Sequence, residues 1–312
     1  MAHVTFIHGI GNKPNANTLH DIWLRNLAEG PEGLDLKLRG VTSSMVYWAD
    51  VLYSEPDLNV AAYESAAASP IEETFANAST GVPAAESADE TAFLVGVAAK
   101  IGGTLAATEA VEAIAPDRMQ EGAAYERVPL PWPVKKIFLE TFLRDVHHYL
   151  FNTQHSPRPG TTYRIQNEIR QRFVAALQAP VDDGPHIVVS HSLGTVIAYD
   201  CLKRVDDCAR VNALVTIGSP LGLDEIQDKL QPGWTRADGF PSKKVSGSWS
   251  NVFDKLDPVC GFDPFLANDF KATGLAKLED IEVSNKGAWR HSIVKYLRAP
   301  SFQKSLNEML SL

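Results

Sequence analysis

The chain has 312 residues, 45% of them hydrophobic and 21% charged, which is ample apolar material for one large α/β unit or two small ones. Twenty-nine Lys and Arg against 38 Asp and Glu give a net charge of −9, which argues against nucleic acid as a partner. Cys201, Cys208 and Cys260 are widely spaced and form no CxxC pair, so a disulfide framework and a cysteine zinc site are both disfavoured and a reducing, cytoplasmic setting is expected.

Residues 3–8 read as a short apolar strand running straight into the turn His8-Gly9-Ile10-Gly11-Asn12. No basic region or cleavage site precedes it, so no secretory signal is expected. Leu19, Ile22, Trp23 and Leu27 give residues 17–28 helical spacing, and Val46-Tyr47-Trp48 mark a second strand near 43–49. From about 55 to 130 the chain turns to Ala, Glu, Ser and Thr with scattered Gly and Pro, too long for a plain loop and therefore expected to be helical in part or partly mobile. Its apolar stretch Ala92 to Ile114 carries Lys100, Glu109 and Glu112, which fits an amphipathic or buried helix and not a membrane span.

Beyond Pro131 and Pro133, Val134, Phe138, Phe142, Val146 and Tyr149 fall on one helical face, and residues 162–178 predict another amphipathic helix. A buried strand, His186 to Val189, then turns sharply at Ser192 into a helix from Leu193 to Leu202. A strand at 213–217, a helix near 223–230, strands at 248–253 and 280–284 and a terminal helix near 302–311 follow. This alternation predicts an α/β fold with a mostly parallel, doubly wound sheet.

Ser190-His191-Ser192-Leu193-Gly194 is close to the hydrolase elbow G-x-S-x-G, with serine in place of the first glycine. The pattern wants small residues two before and two after the nucleophile because strand and helix nearly collide there. A serine presented on such an elbow stands beside backbone amides able to hold an oxyanion; the plainer alternative is a helix cap. The turn His8-Gly9-Ile10-Gly11 offers further unpaired amides, and the donors expected are those of Ile10 and Leu193. Its glycines lack the third glycine and the acid of a dinucleotide fingerprint.

Two acids compete in the loop after strand 248–253, Asp254 and Asp257; Pro258 stiffens the backbone at Asp257, which is favoured. His291 lies in a loop after the last strand, where a general base is needed, and imidazole titrates near neutrality. His20, His147, His148 and His155 fall on predicted helices or their flanks, while His8 and His191 flank the turn and the serine and are expected to orient loops. No His, Cys, Asp and Glu grouping has metal-ligand spacing, so no metal and no cofactor are expected.

Phe6-Ile7-His8-Gly9-Ile10-Gly11, Val188 to Thr195, Gly218-Ser219-Pro220, Asp257-Pro258-Val259 and His291-Ser292 together resemble the α/β-hydrolase superfamily, in particular compact bacterial lipases and lipase-like serine esterases. The resemblance covers residues 1–50 and 160–312. It implies Ser192 as nucleophile, His291 as base, Asp257 as its orienting acid and Ile10 and Leu193 as oxyanion amides. It also implies about six strands in the order 4-3-5-6-7-8. Residues 1–54 and 151–312 are read as the catalytic core and 55–150 as a helical insertion, either a cap over the site or a helical pair that only packs on the body. The expected activity is hydrolysis of a small-molecule or lipid ester; thioesterase, amidase and phospholipase chemistry, or a catalytically silent binding protein, are the alternatives. The run Phe93-Leu94-Val95-Gly96-Val97 is a candidate for lining an acyl pocket or meeting a membrane surface.

Overall fold

The computed structural model describes residues 1–64, 81–112, 132–179, 184–271, 276–287 and 289–310. The strands are β1 (His3–Ile7), β2 (Thr42–Val46), β3 (Gln154–Arg158), β4 (Thr161–Arg164), β5 (His186–His191), β6 (Ala213–Ile217), β7 (Ser248–Phe253) and β8 (Lys277–Glu282). The helices are α1 (Ala16–Ala28), α2 (Ala49–Leu52), α3 (Ala61–Glu64), α4 (Ala88–Glu112), α5 (Trp132–Leu150), α6 (Ile165–Gln178), α7 (Leu193–Arg204), α8 (Asp224–Leu230), α9 (Ile293–Leu297) and α10 (Pro300–Met309). Six strands form one sheet in the order β2-β1-β5-β6-β7-β8, every neighbouring pair parallel.

A parallel sheet must be covered on both faces, and the alternation of side chains along its central strands sorts the core into two layers. Val4, Phe6, Ile187, Val189, Val215 and Ile217 face one layer with Trp23 of α1, Tyr296 of α9 and Phe302 of α10. Val188, Leu214 and Trp249 face the other, with Phe142 of α5, Phe173 of α6 and Val196 of α7. Helix α4 joins this second layer through Phe93, Leu94, Val97, Ile101 and Leu105, the i, i+4 stripe of a helix packed on one side. Lys100 pairs with Glu225 of α8 at 2.8 Å, and a Cβ on Gly96 would meet the same carboxylate at 2.5 Å, so α4 lies tight against α8. No helix among the described residues is long and apolar enough to cross a membrane. All three cysteines are unpaired and buried.

Three expectations are corrected. Residues 161–164 do not begin the helix expected over 162–178; they pair with β3 in an antiparallel hairpin turned at Gly160, whose φ of +77° favours glycine, and the helix starts at Ile165. The strand expected to reach residue 49 stops at Val46. Trp48 leaves the sheet because its backbone N–H donates to His8 Nε2 and its indole N–H to the His8 carbonyl. The last strand lies at 277–282, not 280–284, and a short helix, α9, follows the loop that carries His291.

Candidate active site

All the candidate residues sit just past the carboxyl ends of parallel strands, where helix-bearing loops leave a crevice in open α/β sheets. The glycine turn follows β1, Ser192 follows β5, Gly218 follows β6, Asp257 follows β7 and His291 follows β8. Ser192 has φ 54° and ψ −130°, one of two non-glycine residues with positive φ among those described. Such a backbone costs about 1–3 kcal/mol and persists only where its surroundings hold it. Here the Ser192 amide donates to the Ile217 carbonyl at 3.0 Å, and the Ser192 carbonyl accepts from the Thr195 amide and hydroxyl at 2.9 and 2.7 Å.

Close approach explains the small residues around the elbow. A Cβ on Gly9 would lie 2.4 Å from Ser192 Cβ, and one on Gly194 would lie 2.5 Å from the His8 carbonyl oxygen. Ser190, where the common pattern has glycine, is fully buried and donates its hydroxyl to the Val215 carbonyl at 2.8 Å, so its polar atom is absorbed by the neighbouring strand.

The His291 ring lies against Asp257, with Nδ1 donating to both carboxylate oxygens at 2.9 and 2.8 Å. Asp257 also accepts from the Tyr296 hydroxyl at 2.6 Å and the Val259 amide at 2.8 Å. Burial by itself pushes this carboxyl up, but the His291 charge and these hydrogen bonds outweigh it and hold Asp257 below the usual aspartate value. The opposite imidazole atom, His291 Nε2, and Ser192 Oγ are both buried and without a hydrogen-bond partner among the described residues. Buried polar atoms are rarely left so, and these two line the same cavity.

Asp254 has other duties. It accepts from the Leu256 and Asn285 amides at 2.8 and 2.5 Å and pairs with Arg290 at 3.2 Å, bracing the loop that carries His291 without touching the ring. Four other histidines are engaged elsewhere: His20 with Ser43, His147 with Glu90, His148 with Thr153 and His155, which lies on β3, with the Leu52 carbonyl.

His191 stacks on His291 with centroids 4.6 Å apart and donates from Nε2 to the His291 carbonyl at 3.1 Å. His8 stacks on Trp48 and donates from Nδ1 to the Gly9 carbonyl at 2.9 Å. Burial, reinforced by Lys13, pushes His8 down to about 3; burial and then the neighbouring His291 hold His191 well below the ordinary 6.5. Both rings are therefore neutral platforms in the folded chain and take up a proton only on unfolding. A folded pKa below the unfolded one means that their stabilisation is full above pH 6.5 and declines as the pH falls. At pH 5 the expected loss relative to pH 7 is about 2 kcal/mol from His8, with a loss of the same sign from His191. Urea unfolding at the two pH values reads this loss together with that of His148 and His186, which burial pushes down to about 4, and an unchanged midpoint would contradict it.

The glycine turn is held from an unexpected direction. Asp145 of α5, wholly buried, accepts the Gly11 amide at 2.8 Å and the Tyr53 hydroxyl at 3.3 Å, and is paired with Arg144 at 2.8 Å. The Gly11 amide is so occupied, whereas among the described residues neither the Ile10 amide nor the Leu193 amide donates to a protein acceptor. Asp145 thus bonds to the glycine turn and Tyr296 to Asp257, and sequence reading passed over both.

The cavity above Ser192 measures about 40 Å³ and is walled by Leu19, Trp23, Phe138, Trp289 and Ile293, with Lys13 and Tyr63 also reaching it. The run Phe93 to Val97 does not line it: Phe93, Leu94 and Val97 point into the core and Val95 faces outward.

No family model matches the chain, and no curated protein does. Among solved structures it is similar to an uncharacterized protein from Pseudomonas aeruginosa, at 10% identity and a TM-score of 0.33, over 99% of this chain and 45% of that one. The chain thus spans less than half the length of that protein, and a likeness this slight carries no functional argument.

Proposed function

We propose that the chain is a serine hydrolase of the α/β-hydrolase type that cleaves carboxylic esters through an acyl-enzyme. The observation that carries this reading is that two buried, unpartnered atoms, Ser192 Oγ and His291 Nε2, belong to residues lining one cavity, with the Nδ1 side of the imidazole fixed by Asp257. The sheet supports it as well. If β1 corresponds to the third strand of that superfamily, the order β2-β1-β5-β6-β7-β8 reads 4-3-5-6-7-8.

In this reading His291, donating through Nδ1 to Asp257, keeps Nε2 as a base. It takes the Ser192 proton as Oγ bonds to the ester carbonyl carbon, and the carbonyl oxygen becomes an oxyanion facing the Ile10 and Leu193 amides. Collapse breaks the bond to the alkoxy oxygen, which leaves as the alcohol with the proton from Nε2. Water then gives its proton to the same nitrogen, attacks the acyl carbon and releases the acid, and the proton returns to Oγ.

Ser192→Ala is expected to abolish hydrolysis of p-nitrophenyl acetate, a loss on the order of 10⁶ in kcat, and to abolish labelling by a fluorophosphonate, with an unchanged circular dichroism spectrum. Retained turnover in that variant would reject the assignment.

A further inference from the structure

We propose that the cavity over Ser192 admits only a short acyl chain, so that acetyl- and propionyl-type esters are the substrate class; this rests on the hydrolase reading above. A volume of about 40 Å³ is roughly a quarter of the about 150 Å³ of an apolar cavity that holds benzene. An acetyl group occupies that space and an octanoyl chain overruns it.

The walls are not free to retreat. Phe138 meets Trp289 edge to face with centroids 4.8 Å apart, and both meet the His291 ring, at 6.1 and 5.9 Å. On the opposite side Trp23 packs edge-on to Phe6 at 5.5 Å and to His191 at 6.5 Å. Trp23 and Phe138 are 1% exposed and Trp289 is 4% exposed, so each is locked by its neighbours. Because the imidazole of His291 is itself one of the packed rings, displacing Phe138 and Trp289 for a longer chain disturbs the base. The same packing that fixes the general base therefore sets the length limit. Leu19 and Ile293 complete an apolar lining that suits a methyl or ethyl group.

The test is the specificity constant on p-nitrophenyl acetate, butyrate and octanoate. Wild type is expected to favour acetate over octanoate by about 100-fold, the scale of forcing extra methylenes into a packed interior. Phe138→Ala should narrow that ratio about tenfold, and Leu19→Ala, on the other wall, replaces it if the first variant does not fold. Equal wild-type rates on acetate and octanoate, both lost in Ser192→Ala, would overturn the length limit and leave the hydrolase reading standing. Absence of any Ser192-dependent turnover would overturn both.

Discussion

Asp257→Asn is expected to lower kcat on a short ester by about 10⁴-fold while KM moves little. The shape of the side chain is kept, so the loss is one of proton placement. Asp257 accepts three donors, His291 Nδ1, the Tyr296 hydroxyl and the Val259 amide. An asparagine offers one oxygen and presents an NH2 where the second stood, and an NH2 facing Nδ1 favours the tautomer with the proton on Nε2. That nitrogen then has no lone pair for the Ser192 proton. The neighbouring Asp254→Asn supplies the contrast. Its partners are the Leu256 and Asn285 amides and Arg290, all in the loop scaffold, so it should lower the melting temperature with a far smaller change in kcat. Steady-state kinetics and thermal melts on the two variants separate the roles; full kcat in Asp257→Asn would remove Asp257 from the triad.

The contrast between these two aspartates marks how far sequence reaches here. The elements around Ser192 are legible because β5, β6 and β7 are short runs of buried residues bounded by turns, and nothing competes with that pattern. The hairpin β3–β4 was hidden for the opposite reason: its strands are half exposed, and β4 has only four residues before Ile165, Ile169, Phe173 and Leu177 impose their helical period. β8 is an edge strand rich in Lys, Glu and Asp, so its charge blurs the alternation that would fix its ends. Ser192, Asp257 and His291 could be nominated because each follows a recognisable strand. Tyr296 could not, because its hydroxyl reaches Asp257 from a helix of five residues that the sequence does not announce. Asp145 is the extreme case. It lies 134 positions from Gly11, and an Arg-Asp pair on a helix reads as a solvated surface until the fold buries it.

That burial makes Asp145→Ala the most damaging single change expected outside the proposed triad. Asp145 is 0% exposed and holds Arg144 through Nε at 3.0 Å and Nη2 at 2.8 Å, while the Tyr53 hydroxyl bonds both residues. Burial works against the Arg144 charge, and the charge of Asp145 more than restores it, so the guanidinium stays protonated in the fold. Deleting the carboxylate strips this compensation from a buried cation and orphans the Gly11 amide, a loss of about 3–5 kcal/mol. Asp145→Asn keeps one acceptor for Gly11 but forfeits the charge, and should fall between wild type and alanine in urea unfolding. The two variants also separate stability from catalysis. In Asp145→Asn, folded at low temperature, kcat should fall more than KM rises, because in the proposed mechanism the turn held through the Gly11 amide presents Ile10 to the developing oxyanion. A purely structural Asp145 would lower the unfolding midpoint and leave kcat of the folded fraction untouched.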